Sequence, residues 1–363
     1  MPLLVISFDA VGDQAFEKMT ETYPVLKKFK ENSYYKNQVE TIFISNTYPI
    51  HTTVSTGKLP KDHGIISNYL APNKRNPRPW AQEEKYIKCK TIWQAAKEKG
   101  ITTAAFLWPV TGGAKIDYHL PEGHVNPGQS QAMLNLRLGS KWLQINALRK
   151  HGKLLDGIKQ PNLDNFTTSV VVDLLSKKTP DLVLVHLIAY DDIAHSVGID
   201  DERLEVAKKA LNDNLGKLLN VWSGDVLVFS DHSQLNIKET INLESSYPGK
   251  FDHQGGSVFT DEEIDFSNRR WFARMLTKEE MHESGWDQKY KYGIAAKPGY
   301  TFSDEEKRGD HGYPLDVPNY HTFYAINKQI DYTDKLQGKI TDVTAIIAKE
   351  LGLEMDIIND LGL

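Results

Sequence analysis

The chain reads as an α/β protein: a mostly parallel central sheet with helices on both faces and insertions over the C-terminal ends of the strands. Three observations carry this reading. Short branched apolar runs alternate along the chain with helical segments, as βαβ units do. The clearest runs (Leu3–Phe8, residues 182–188 and residues 226–229) are almost wholly apolar, as strands covered on both faces must be. Carboxylates and imidazoles follow these runs directly, where an α/β sheet presents its chemistry.

The elements follow in order. Leu3–Phe8 is the first strand, and residues 23–30 are helical. Residues 39–44 read as a strand, and 49–55 open a helix with Pro49 in its first turn. Residues 91–99 form a helix stopped by Gly100, and 102–107 the next strand. A helix over 166–176 precedes the strand at 182–188. The long amphipathic helix at 201–222 repeats Leu204, Ala207, Leu211, Leu215 and Leu218 at helical spacing, a face for packing on the sheet. The strand at 226–229 follows, and Thr322–Ile326 and Thr341–Leu351 close the chain as strand and helix. Residues 111–165 and 233–310 break the rhythm and read as insertions above the sheet. The expectation is one catalytic domain over 1–363, with 233–310 a cap-like insertion within it.

Composition narrows the function. A chain of 363 residues can hold one large domain with insertions. A net charge of −5 leaves no broad cationic footprint for nucleic acid. The single cysteine, Cys89, excludes an internal disulfide. No run approaches the ~20 apolar residues of a membrane span, and no signal peptide is evident, so a cytoplasmic location is expected.

The strand ends carry the chemistry. Asp9 follows the first strand; Ser45-Asn46-Thr47 follows the run at 39–44. Asp191 and His195 stand four apart, so one helical turn places both on one face. Asp231 and His232 are adjacent at a turn. Asp and His together suit Zn²⁺, with Mn²⁺ or Fe²⁺ also accepted. Each residue alone is commonplace; the joint pattern is the signal. Asp192 is a second choice to Asp191 and otherwise a helix cap. Thr47 precedes a helix start that favours anions, and a metal can activate its hydroxyl. Ser45, Thr52, Thr53 and Ser55 rival it on chemistry alone.

These segments resemble the alkaline phosphatase superfamily, and within it the nucleotide pyrophosphatase/phosphodiesterase branch. The blocks are Val5 to Ala10, Thr47 to Gly57, Pro60 to Asn68, Thr91 to Trp93, Trp108-Pro109, Asp191 with His195, Ser230 to His232, Pro298 to Tyr300 and Gly309 to Tyr313. The resemblance implies two zinc ions, one on Asp191, His195 and His311, the other on Asp9, Thr47, Asp231 and His232. It also implies that Asn68 contacts a phosphate oxygen. Four positions depart from the branch: Tyr48 replaces Phe, Ile50 replaces Asn, Ala194 replaces Gly before His195, and Ser233 replaces Gly after His232.

The function expected is a two-metal phosphodiesterase or nucleotide pyrophosphatase working through a phosphothreonine at Thr47. Its substrate is a small phosphoester or nucleotide. The same scaffold could serve a phosphomonoesterase or phosphonate hydrolase, which would want a further cation from Lys58, Lys61, Lys74, Arg75 or Arg78. A phosphomutase is the alternative of another class. A sulfatase is disfavoured, because Cys89 lacks the Pro and Arg that its nucleophile needs. Of the other histidines, His186 reads as a hydrogen-bonded core residue and His51 and His63 as structural. His253, in the insertion, can reach substrate. Specificity should lie in residues 69–90, 111–165 and 233–310.

Overall fold

Leu3–Phe8 is the middle strand of a seven-stranded sheet in the computed structural model, which describes residues 1–71, 78–126 and 128–362. The spatial order is Tyr34–Val39, Thr322–Ile326, Asp225–Ser230, Leu3–Phe8, Leu182–Leu187, Thr103–Phe106, Tyr118–Leu120. Five neighbouring strands, from Asp225–Ser230 to Tyr118–Leu120, run parallel; Thr322–Ile326 is antiparallel to both of its neighbours.

The continuous apolar runs follow from burial on both faces. Leu4, Ile6 and Phe8 point into one core with Phe16, Leu26, Phe166 and the stripe Leu204, Ala207, Leu211, Leu215 and Leu218. Leu3 and Val5 point into the other, with Ile50, Val54, Trp93 and Ile346. The long helix begins as a single tight turn, Glu202–Leu204, and continues as Glu205–Leu219. Helix Ile92–Glu98 starts from a capping box in which Thr91 accepts from the Gln94 N–H and the Gln94 side chain accepts from the Thr91 N–H.

One expected strand is displaced. The edge strand is Tyr34–Val39, and residues 40–46 leave the sheet. Phe43 and Ile44 are buried, but against Phe259, Met281 and Trp286 of the later insertion. Their apolar run is thus a docking segment rather than a ladder. The helices Asp13–Thr22, Gln131–Leu138 and Lys141–His151 were not expected from the sequence. Residues 111–165 also supply the sheet's edge strand Tyr118–Leu120, so they are not merely an insertion above it.

Residues 235–310 carry a four-stranded antiparallel sheet, ordered Phe272–Met275, Tyr292–Ala296, Ser257–Thr260, Asp252–Gln254. It has its own core of Phe251, Phe266, Trp271 and Phe302. The register of the main sheet sets the height of the site. Phe8 pairs with Leu187 on one side and Ser230 on the other. The chain therefore leaves three adjacent parallel strands at one level, at Asp9, Ile188 and Asp231.

Candidate active site

Six carboxylate and imidazole side chains converge above those strand ends in two groups, Asp191, His195, His311 and Asp9, Asp231, His232. In the first group, His195 Nε2 lies 3.4 Å from Asp191 Oδ2, and His311 Nε2 lies 3.9 Å from Asp191 Oδ1. The spacing of four works as expected, since helix Ala189–Val197 presents both Asp191 and His195 from one face. In the second, His232 Nε2 lies 3.4 Å from both Asp9 Oδ1 and Asp231 Oδ2. The groups adjoin, with the His232 and His311 rings 4.1 Å apart.

Each of these imidazoles is turned the same way. The Nδ1 atoms of His195, His232 and His311 face the carbonyl oxygens of Gly309, Ser233 and Ser45 at 2.8, 3.2 and 2.9 Å. A carbonyl only accepts, so each Nδ1 carries the proton and each Nε2 keeps its lone pair for the site. Asp231 Oδ1 accepts from the backbone N–H groups of Ala10 and His232, whereas its Oδ2 is buried without a hydrogen-bond partner. Asp9 Oδ1 is likewise buried and unpartnered. Orphaned carboxylate oxygens are costly in a protein interior unless a cation meets them. This donor set fits divalent metal ions.

The electrostatics hold two of the three imidazoles neutral and leave His195 paired as a cation with Asp191. Burial pushes His311 down to about 3 and His232 to about 4, holding both in the neutral, ligating form. Burial alone would depress His195, but the Asp191 carboxylate keeps it at about 9. Burial opposes ionisation of Asp191 too, yet His195 and then His311 and His232 hold it well below the usual range. Burial, followed by repulsion from Asp231 and Asp191, raises Asp9.

Thr47 opens helix Thr47–Thr56, with Oγ1 3.4 Å from His232 Nε2. Its rivals are occupied elsewhere. Ser45 Oγ bonds the Tyr320 hydroxyl at 2.9 Å, Thr52 donates to the Tyr48 carbonyl, Thr53 meets His63 Nε2, and Ser55 accepts from the Trp108 indole. Asn68 Oδ1 accepts from the Tyr48 N–H at 2.9 Å, which leaves its amide donors for the adjoining cavity of about 380 Å³. Thr47, Asn68 and both carboxylates Asp191 and Asp192 line that cavity. Asp192 stands outside both ligand groups.

Among the other residues singled out, His51 ties the helix down, with Nδ1 2.9 Å from the Thr47 carbonyl and Nε2 2.9 Å from Ser7 Oγ. His186 bonds Asp9 directly. His253 lies on the cavity wall, as does Arg78. Lys58 pairs with Asp356 at the surface, and Lys61 sits on the short helix Pro60–His63. Lys74 and Arg75 lie outside the described residues. Of the four departures from the branch, Tyr48 lines the cavity and the other three turn away from it. Ile50 is in the core, Ala194 is fully buried, and Ser233 sits against Gly12, where a Cβ would come within 2.3 Å of its Oγ.

Several contributors were not foreseen. Asp310 Oδ1 lies 3.5 Å from His195 Nδ1, and its place just before His311 was an available signal. Asn46 accepts from His311 and donates to Gln254. Glu122, His124 and Lys307 reach the cavity from segments that follow no long strand, and nothing local marks them.

The chain is similar to known proteins in sequence and fold. The model of the family "Type I phosphodiesterase / nucleotide pyrophosphatase" matches residues 3–259. The chain belongs to this family. The chain is similar to the human bis(5'-adenosyl)-triphosphatase ENPP4, 23% identical over 89% of this chain and 71% of that protein. Human ectonucleotide pyrophosphatase/phosphodiesterase family member 1 is 29% identical, but over 30% of this chain and only 12% of its own length. Murine ectonucleotide pyrophosphatase/phosphodiesterase 5 shares the fold at a TM-score of 0.70 and 20% identity, covering 99% and 97% of the two chains. Phosphonoacetate hydrolase from Sinorhizobium meliloti, solved with phosphonoacetate, does so at 0.69 and 15% identity, covering 97% and 96%. The chain thus shares its family with phosphodiesterases and nucleotide pyrophosphatases and its fold with these solved structures. No helix among the described residues is long and apolar enough to cross a membrane.

Proposed function

We propose that the protein hydrolyses a phosphodiester or nucleotide phosphoanhydride with Thr47 as nucleophile. The observation that carries this is the position of Thr47, at a helix N-terminus beside two groups of buried metal-type ligands. Asp191, His195 and His311 would hold one divalent cation; Asp9, Asp231, His232 and Thr47 would hold the other. Zinc suits the set, and Mn²⁺ or Fe²⁺ can replace it. Such a pair supplies Lewis-acid stabilisation of charge on the attacking and leaving oxygens.

The chain does the rest. Helix Thr47–Thr56 directs its positive end at the phosphoryl group. The Asn68 amide donates to a phosphate oxygen while its carbonyl oxygen stays fixed by Tyr48. Attack by Thr47 Oγ1 expels the first alcohol or phosphate and forms a phosphothreonine that still carries the second substituent; water then cleaves the Thr47–phosphorus bond and releases the monoester. We read residues 1–363 as one catalytic unit, with 233–310 forming a cap that contributes His253 and Lys307 to the cavity wall. A nucleotide substrate is supported by the naming of human ENPP4 and by a murine relative solved with AMP.

A second reading, phosphonate or monoester hydrolysis, is favoured by Arg78 and Lys307, two cations on the wall that could meet an extra negative oxygen. The deciding test is turnover of bis(4-nitrophenyl) phosphate against 4-nitrophenyl phosphate, with quench and mass spectrometry of the Thr47 peptide. Preference for the diester is expected, with a Thr47 adduct of about +201 Da, the 4-nitrophenyl phosphoryl group that stays after one nitrophenolate leaves. Undiminished turnover in Thr47→Ala, or after exhaustive chelation, overturns the mechanism.

A further inference from the structure

The loops that carry the metal-type ligands have a second side. Ala10 follows Asp9, Tyr190 precedes Asp191 and Ser233 follows His232. These three neighbours line a separate cavity of about 490 Å³, walled by helix Asp13–Thr22 and by segments at 199–208, 233–235 and 318–319. Among the described residues, this cavity and the one above Thr47 have no lining residue in common. Gln234 stands at the partition, lining the rear cavity while its amide donates to the Asp191 carbonyl at 3.2 Å.

Two hydroxyls of the rear cavity are unspent. Tyr190 is 2% exposed and Ser233 8%, yet among the described residues neither hydroxyl has a hydrogen-bond partner. A buried hydroxyl in that state costs free energy that a bound ligand recovers. Ser233 is also one of the departures from the branch, whose Gly would leave no hydroxyl there. Gly12 makes the room for it, since a Cβ at Gly12 would come within 2.3 Å of Ser233 Oγ.

The charges around the cavity balance. Lys208 pairs with Glu205 at 2.7 Å, the Tyr23 hydroxyl donates to the same carboxylate, and Asp200 accepts from the Asn236 amide. With Lys18 added, two cations face two carboxylates, so no ion of either sign is favoured. The groups left to bond are neutral: the two hydroxyls, and the side-chain amides of Gln14 and Asn319 at the mouth. Each can both donate and accept. Met19, Ile199 and Leu235 supply apolar wall between them. A polyol ring matches this, with hydroxyls around its edge and C–H groups on its faces. The volume lies in the range of small-molecule sites.

We propose that the rear cavity is a binding site for a neutral polyhydroxy compound of monosaccharide size, held by the Tyr190 and Ser233 hydroxyls. The site stands independently of the reaction at Thr47.

The test is titration of the metal-loaded protein with myo-inositol and with D-glucose, by calorimetry and saturation-transfer NMR. At least one of them should bind at a single site with a millimolar or tighter Kd. Tyr190→Phe and Ser233→Gly each remove one hydroxyl and should weaken that binding about three- to tenfold. Gln14→Trp, at an exposed helix position on the mouth, should abolish it. Circular dichroism checks that each variant is folded. Thr47→Ala should bind the polyol as the parent does, which separates this site from the reaction. Binding of neither probe overturns the proposal. So does binding that Tyr190→Phe, Ser233→Gly and Gln14→Trp all leave unchanged, because it then lies elsewhere. Tighter binding of inorganic phosphate or 1,6-hexanediol than of either polyol also overturns it, in favour of an anion site or a plain apolar pocket.

Discussion

His186 closes on Asp9: its Nε2 stands 3.0 Å from Asp9 Oδ2, and its Nδ1 stands 3.1 Å from the Leu107 carbonyl oxygen. Both partners are acceptors, so the contact closes with a proton on each ring nitrogen, or with one on Asp9. The imidazole thereby fixes one carboxylate oxygen and leaves Asp9 Oδ1 aimed at His232. Outer partners of this kind orient a ligand and tune its affinity. His186→Asn should lower metal affinity and kcat/KM by about 10- to 100-fold, because Asp9 can then rotate. Metal analysis after dialysis, with kinetics on the reloaded protein, checks this. Unchanged metal content and rate would remove His186 from the site.

Metal removal should also destabilise the fold. Asp9 Oδ1 and Asp231 Oδ2 are buried without partners, and the carboxylates repel one another. Ligands that bind only the folded state stabilise it by about 2.7 kcal/mol at a hundredfold excess over Kd and about 4.1 at a thousandfold. Chelation should therefore lower the unfolding free energy by about 3–4 kcal/mol, and Zn²⁺ should restore it. Urea titrations with and without chelator measure the difference. Superimposable curves would mean that the two ligand groups hold nothing.

Asn68 allows its two roles to be separated. Its Oδ1 receives the Tyr48 N–H at 2.9 Å, and its amide donors face the cavity. Asn68→Asp keeps the acceptor and loses the donors, so kcat/KM should fall at least about tenfold with stability within about 0.5 kcal/mol of the parent. Asn68→Ala also leaves the Tyr48 N–H unpaired and should cost a further 1–2 kcal/mol or so. Equal stability losses in both variants would show that Oδ1 anchors nothing.

The strand-end residues were legible because an apolar run followed by Asp or His is a local pattern. Asp9, Asp191, His195, Asp231 and His232 all follow it. His311 does not. It arrives after a long antiparallel excursion, and only the Gly309-Asp310-His311 block marked it. The run at 39–44 misled because burial looks alike in sequence whether a residue enters a sheet or, as with Phe43 and Ile44, docks against an insertion. The helices at 131–151 were obscured for the opposite reason. Met133, Trp142 and Ile145 remain exposed, while Gln144 is buried through its hydrogen bond to Asn135. Hydrophobic periodicity there does not follow the core.

The insertion should matter to catalysis through Phe259. Its ring stacks on Trp286 at 4.0 Å and 4°, and Phe43 packs beside it at 6.5 Å. Phe43 and Ile44 lead directly to Ser45, Asn46 and Thr47. Phe259→Ala should cost about 3–5 kcal/mol, and the cavity should loosen the segment that places Thr47. A fall in kcat measured well below the unfolding transition is the expected sign. Lost stability with an unchanged kcat would confine Phe259 to packing.

Acid stability should be governed in part by His63, which belongs to neither ligand group. It is fully buried; Nδ1 accepts from the Ile65 N–H at 3.1 Å, and Nε2 faces Thr53 Oγ1 at 3.1 Å. A proton on Nδ1 would confront that N–H. Burial accordingly depresses the pKa from 6.5 to about 3. Because the folded value lies below the unfolded one, the stability it contributes is complete above pH 6.5 and is lost as pH falls toward 3. Each pH unit inside that window removes up to about 1.4 kcal/mol. His63→Asn keeps an acceptor for the Ile65 N–H and has nothing to protonate. The parent-minus-variant difference in unfolding free energy should therefore shrink by about 1.4 kcal/mol per unit between pH 6 and pH 4. Taking the difference cancels any metal loss common to both proteins. A difference independent of pH would show that His63 titrates no differently folded than unfolded.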